Sequence, residues 1–143
     1  MRAVLQVVTH AAVHVDGELV GAINEPGLVV LLAAVNEDGE DECQWMARKI
    51  ADLRILREEK SVSDVGAPVL LVSQFTLYGQ AAKGRRPSWS RAASGPVAEP
   101  LVERVGELLR ERGIEVATGR FGADMQVSLV NDGPVTLILD TPA

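Results

Sequence analysis

The sequence predicts a single α+β domain spanning residues 1–143. Three observations carry this. Several short runs are rich in Val, Ile and Leu at strand length, two segments repeat apolar residues at three-and-four spacing, and strand and helix do not alternate regularly. The chain has 143 residues, 47% of them hydrophobic and 24% charged, which is the balance of a globular domain with a real core. Aromatic residues are only 3%, so that core has to be built from Val, Leu, Ile and Ala.

Val4 to Val15 is apolar, β-branched and loosely alternating, and Asp16-Gly17 then precedes ELVGAI, so a hairpin closed by an Asp-Gly turn is expected. Gly27 to Val35 (GLVVLLAAV) is a continuous apolar run of strand length and reads as buried on both faces. A helix follows from about Glu40 to about Leu56, with Cys43, Met46, Ala47, Ile50 and Leu53 on one stripe. Arg57 to Gly66 is polar and reads as a loop. Val69 to Phe75 (VLLVSQF) is a strand that turns polar at its end, and Gly79 to Ser94 is a Gly-, Pro- and Ser-rich surface loop.

The second helix is expected from about Val97 to about Arg112. Ser94 is its cap, Pro100 sits in its first turn and Gly113 marks its stop. Its stripe is Val97, Leu101, Val105, Leu108 and Leu109. IEVATG, DMQVSLV and PVTLILD complete the strands. The last two are separated by Asn131-Asp132-Gly133-Pro134, a turn-like group that suits a hairpin except for the proline, which removes a backbone donor where the next strand begins.

Charge and composition narrow the function. A net charge of −6 speaks against nonspecific nucleic-acid binding, which relies on Lys and Arg at phosphates. Lys83 to Arg91 (KGRRPSWSR) nevertheless carries four positive and no negative side chains, either a solvated loop or a local anion-binding patch. No apolar run approaches the roughly 20 residues of a membrane helix, and the N-terminal layout is not that of a signal peptide, so a cytoplasmic protein is expected. A lone cysteine, Cys43, offers neither an internal disulfide nor a zinc cluster, and it reads as a buried thiol. The only histidines, His10 and His14, share a strand face and suggest no triad. No GxSxG, Walker, HExxH or paired-cysteine pattern is present, and neither metal nor cofactor is expected. Ser73, Gln74 and Thr76, emerging directly after an apolar strand, either line a site or cap a sheet.

Three segments taken together resemble the D-aminoacyl-tRNA deacylase family: SQFTLYG, GRRPSW, and TGRFGADMQVSLVNDGPVT from Thr118 to Thr136. The opening AVLQVVTHAAVHVDGELVGAI is similar to that family's first hairpin, so the likeness spans nearly the whole chain. The resemblance implies strongly twisted β-sheets forming a barrel-like core, with two main helices packed outside. It implies a homodimer that hydrolyses the ester between a D-amino acid and the terminal ribose of tRNA, taking the acceptor end of aminoacyl-tRNA as its partner. Ser73, Gln74, Phe75 and Thr76 would surround the scissile ester. Phe121 and Met125 would hold the terminal adenine or line the pocket, unless they only pack the core. A cis Gly133-Pro134 loop would reach into the other subunit's site and present main-chain oxygens that reject an L side chain. Glycine, with hydrogens on both sides of Cα, would pass that filter, so Gly-tRNA, including glycine mischarged on the alanine tRNA, is an expected substrate. Lys83, Arg85 and Arg86 would meet tRNA phosphates.

Two departures from the family pattern stand out. Val7 follows Gln6 where the family usually has arginine, and LREEKSVSDVGAP is shorter than the usual loop and lacks its Gly-Lys-Met-Asn run. Alternatives to the deacylase are a catalytically silent or chirality-relaxed paralogue that binds tRNA, and a general esterase using Thr76.

Overall fold

The computed structural model describes residues 1–142. Strands β1 (Arg2–Val15), β2 (Glu18–Ile23) and β3 (Gly27–Ala33) are followed by helix α1 (Glu40–Asp52), a 3-10 turn (Arg57–Glu59) and the short helix α2 (Val62–Val65). Strand β4 (Val69–Ser73), a second 3-10 turn (Phe75–Tyr78), α3 (Gly95–Glu111), β5 (Val116–Thr118) and β6 (Gln126–Asp140) complete the chain. The six strands form one mixed sheet in the order β2-β1-β3-β4-β5, with β6 on the other edge of β1.

The first hairpin forms as its sequence predicts. Asp16 (φ 50°) and Gly17 (φ 78°) are both left-handed, the conformation a tight hairpin turn requires. β3 and β4 pair in parallel, as do β4 and β5, so two crossovers carry α1 with α2, and then α3, over one face. The remaining strand pairs are antiparallel, and the class is α+β. The sheet curls until β2 meets β5: Gly21 lies directly against the Thr118 carbonyl, where any side chain would collide, so the barrel is nearly closed.

Two apolar compartments result. Leu5, Leu28, Val30, Leu32, Val69 and Leu71 face the helices, together with Cys43, Met46, Ile50, Val105 and Leu109. Val8, Ala11, Val13, Val29, Leu70 and Val72 fill the barrel interior. Successive residues of β3 and β4 therefore point into different cores, which is why their sequences are unbroken apolar runs. Burying one such side chain contributes about 1.5–3 kcal/mol.

β1 serves both compartments. Leu5 and Val7 face the helices, whereas Ala11 and Val13, of the same parity, face the barrel. The inversion occurs at a bulge between Val8 and His10, where Thr9 is the extra residue. β6 changes compartment in step, with Val127 and Leu129 on the barrel side and Val135, Leu137 and Leu139 on the helix side.

Several expectations are corrected. Asn131-Asp132-Gly133-Pro134 does not close a hairpin. Both flanking runs are parts of one strand, β6, and both pair with β1, whose nearly complete length supplies partners for each. Between the pairs Gln6–Thr136 and Val8–Asn131, β1 advances two residues and β6 advances five, so the segment is a wide bulge. α1 stops at Asp52 rather than Leu56, leaving Leu53 as its C-terminal cap. Arg57 to Gly66 is not a plain loop: Ser61 and Asp64 form reciprocal caps that nucleate α2. β4 ends at Ser73, because Phe75 to Tyr78 turns into a 3-10 helix. α3 starts at Gly95, which puts Pro100 beyond the first turn. Ser94 caps it by its main chain only, its carbonyl accepting from Val97 and Ala98.

Candidate active site

A cleft of about 560 Å³ opens where the C-terminal ends of β3 and β4 meet the start of α3. Its floor is Leu32 to Ala34 and Val72, one wall is Ala93, Gly95, Ala98 and Val102, and the other runs from Phe121 to Met125. Ser73, Gln74 and Phe75 line it from the polar end of β4. The polarity switch in VLLVSQF thus marks where the strand leaves the core and reaches the cavity. Parallel strands characteristically present their carboxyl ends to such crevices.

The turn after β4 fixes the polar groups. Gln74 donates its main-chain N–H to the Leu32 carbonyl at 2.8 Å, anchoring the turn to β3. Its side-chain amide donates to Thr76 Oγ1 at 2.6 Å. Phe75 and Thr76 open the 3-10 turn, so their N–H groups precede any carbonyl the turn itself can offer. Thr76 does not line the cleft but is tied to it through Gln74.

Phe121 and Met125 both line the cleft, and both also pack against the cores. Met125 folds in because Gly119 has no side chain; a Cβ there would stand 2.5 Å from its sulfur. Phe75 is 54% exposed and forms one lip, with Trp89 meeting it edge to face at 5.8 Å. Trp89 belongs to the 79–94 loop, which is drawn together by paired main-chain bonds between Gln80 and Ser88 at 2.8 and 2.9 Å. The exposed cations Lys83, Arg85 and Arg86 sit within that loop and enter no ion pair among the described residues. Arg91 stacks over Tyr78, whose hydroxyl is pushed above its usual pKa chiefly by burial.

Other candidates lie elsewhere. Neither His10 nor His14 lines the cleft, and His10 contacts its neighbour Thr9 at 2.9 Å. Cys43 is buried in α1 and its thiol is pushed up to about 11, mainly by burial, so it is neutral and inert at pH 7. No group of three or more potential metal ligands exists among the described residues, and no helix is long and apolar enough to cross a membrane.

Gly133 and Pro134 are exposed at the bulge of β6, joined by a cis peptide bond, and they do not line the cleft of their own chain. The bulge is held from two sides. Asn131 Nδ2 donates to the Val7 carbonyl at 2.7 Å and to the Val135 carbonyl at 3.3 Å. Asp132 accepts two bonds from Arg57, from Nε at 3.0 Å and from Nη2 at 2.5 Å. Sequence reasoning missed Arg57 and the small cleft-lining residues Ala33, Ala34, Ala93 and Ala98. The S-x-x-D pattern at Ser61 is the local signal for the start of α2.

An apolar slot rimmed by amides and hydroxyls, with an aromatic lip beside a cationic loop, defines a class: an α+β domain with its candidate site at the carboxyl ends of parallel strands. Comparison with known proteins narrows this. The chain belongs to the D-Tyr-tRNA(Tyr) deacylase family, whose model matches residues 4–140. It is 61% identical over 140 residues to the D-aminoacyl-tRNA deacylase of Kineococcus radiotolerans, covering 98% of this chain and 99% of the relative. It is 61% identical, with the same coverage, to the D-aminoacyl-tRNA deacylase of Thermobifida fusca. Among solved structures it resembles the c-Myc DNA unwinding element binding protein, with TM-score 0.91, 41% identity and full coverage of both chains.

Proposed function

We propose that this protein is a D-aminoacyl-tRNA deacylase, which hydrolyses the ester joining a D-amino acid to the terminal ribose of tRNA. The observation that carries the reading is the convergence of Ser73, Gln74, Phe75, Phe121 and Met125 on one cleft beside the cationic loop. The cleft suits the terminal adenosine, with Phe121 and Met125 against the base. The ester carbonyl then lies at the turn after β4, where the Phe75 N–H, unpartnered within the turn, stabilises the charge that develops on its oxygen. Water attacks the carbonyl carbon, the bond to the ribose oxygen breaks, and that oxygen takes up the proton, leaving free amino acid and tRNA.

Thr76 is not the nucleophile in this scheme. Its hydroxyl accepts from the Gln74 amide, which is no base, and neither histidine lines the cleft. An unassisted hydroxyl attacks poorly. The neighbouring 2′-hydroxyl of the substrate's own ribose is left to activate the water.

Stereochemical selection is assigned to the Gly133–Pro134 loop of a second copy. Because these residues stay outside the cleft of their own chain, completing the site takes a homodimer. Their main-chain oxygens form a wall beside Cα that an L side chain strikes and a hydrogen clears, so Gly-tRNA passes as well. Overlap with fixed backbone costs about 1–3 kcal/mol or more. Lys83, Arg85 and Arg86 hold acceptor-end phosphates, so an acidic protein binds tRNA through one patch. The net charge of −6 gives no comparable support to binding an extended DNA element, the property in the structural neighbour's name.

Incubating the purified protein with D-Tyr-tRNA, L-Tyr-tRNA and an aryl ester tests the proposal. Hydrolysis of the D substrate alone is expected. Binding without hydrolysis selects a silent paralogue, and cleavage of the aryl ester selects a general esterase.

A further inference from the structure

The bulge of β6 would be free to sway if only its base were held. Asn131 ties that base to β1 through the Val7 carbonyl, and its Oδ1 lies under Gly133, 3.3 Å from where a Cβ would stand. The tip needs a separate hold, and it comes from 75 residues away in the sequence. Asp132, with its side chain 23% exposed, faces Arg57, whose Nε and Nη2 grip both carboxylate oxygens. Such a fork fixes the carboxylate's rotation as well as its distance, which a single donor does not.

The segment that presents Arg57 is built for rigidity. Leu56 donates to the Lys60 carbonyl at 2.9 Å and closes a tight loop. Inside it Glu58 (φ 61°) and Glu59 (φ 55°) are both left-handed, an unfavourable conformation for two successive residues with side chains. Backbone held that way persists only where its surroundings impose it, and such sites cluster at functional positions. Arg57 itself is 76% exposed. An ion pair that open to water adds little to stability, so geometry rather than folding energy is what it contributes.

We propose that Arg57 is a positioning residue for stereochemical selection: through Asp132 it sets where the Gly133 and Pro134 carbonyls stand. This rests on the deacylase reading above. Arg57 touches no substrate. It acts on the discrimination between mirror-image esters rather than on the rate of the accepted one.

The test compares kcat/KM for D-Tyr-tRNA and L-Tyr-tRNA in the full chain carrying Arg57→Ala or Arg57→Lys, together with thermal melting. Arg57→Ala is expected to lower the D/L ratio by about tenfold or more, with the D rate within about threefold of wild type and melting unchanged. Arg57→Lys restores part of the ratio, because the ammonium supplies the charge without the fork. Raising NaCl from about 50 to about 500 mM lowers the ratio in wild type and leaves it flat in Arg57→Ala. Taking the ratio cancels the salt dependence of tRNA binding, which both esters share. An unchanged ratio in Arg57→Ala, or D and L rates falling together, overturns the proposal. A wild type that cleaves both esters alike, or neither, overturns the deacylase reading and takes this inference with it.

Discussion

At the scale of single residues, chemistry is decided by which hydroxyl has a base and which amides are free. Thr76 shares a 2.6 Å hydrogen bond with an amide and has no proton acceptor of suitable strength beside it. Thr76→Ala is therefore expected to keep kcat within about threefold of wild type in single-turnover deacylation of D-Tyr-tRNA. A loss of about a thousandfold or more would reinstate a threonine nucleophile. Ser73 and Gln74 were legible at the cleft because polar groups close an apolar strand, whereas Phe75, Phe121 and Met125 were reached only through the resemblance to the deacylase family. Ala33, Ala34, Ala93 and Ala98 break no pattern. They matter by being small, and only the approach of α3 to the sheet reveals that. Arg57 and Asp132 were equally silent, since a pairing across 75 residues leaves no periodicity in a sequence.

At the scale of elements, local signals named what each segment is and failed where the partner is distant. Both long helices and the first hairpin followed from spacing and turn chemistry. Asn131 to Pro134 carries the composition of a hairpin turn, but whether two runs fold back on each other or continue along a third strand depends on β1, more than a hundred residues earlier. The 79–94 loop was readable as a loop from its composition, but its place beside the Phe75 lip was not. That placement gives a prediction. Reversing Lys83, Arg85 and Arg86 to glutamate should weaken tRNA binding and reduce the slope of log affinity against log salt by about two to three, as measured by filter binding across a salt series. An unchanged slope would leave the loop as solvated surface and nothing more.

At the scale of the whole molecule, the α+β class was legible from composition and periodicity. The barrel-like core was expected only through the family resemblance and is borne out; composition and periodicity did not carry it, since its near-closure rests on Gly21 meeting the Thr118 carbonyl, a contact no local rule anticipates. The proposed exchange of loops between subunits has its own test at this scale. One chain would carry Ala123→Trp to block its cleft and keep its loop, while the other would keep its cleft and have its bulge shortened. Co-expressed and isolated as a mixed dimer through two different tags, they leave a single working cleft. It should cleave D-Tyr-tRNA and spare L-Tyr-tRNA if the loop crosses over, and should cleave both if each chain guards its own cleft. A last consequence belongs to Thr9. Because β1 advances two residues there while β6 advances one, from Asn131 to Val130, deleting Thr9 would restore one-to-one pairing and leave Ala11 and Val13 facing the barrel interior with Val8. Keeping Thr9 but forcing a regular pleat is what would turn His10 and His14 inward and expose Ala11 and Val13 to water, so the kink, more than the lettering, keeps the second half of this strand dry.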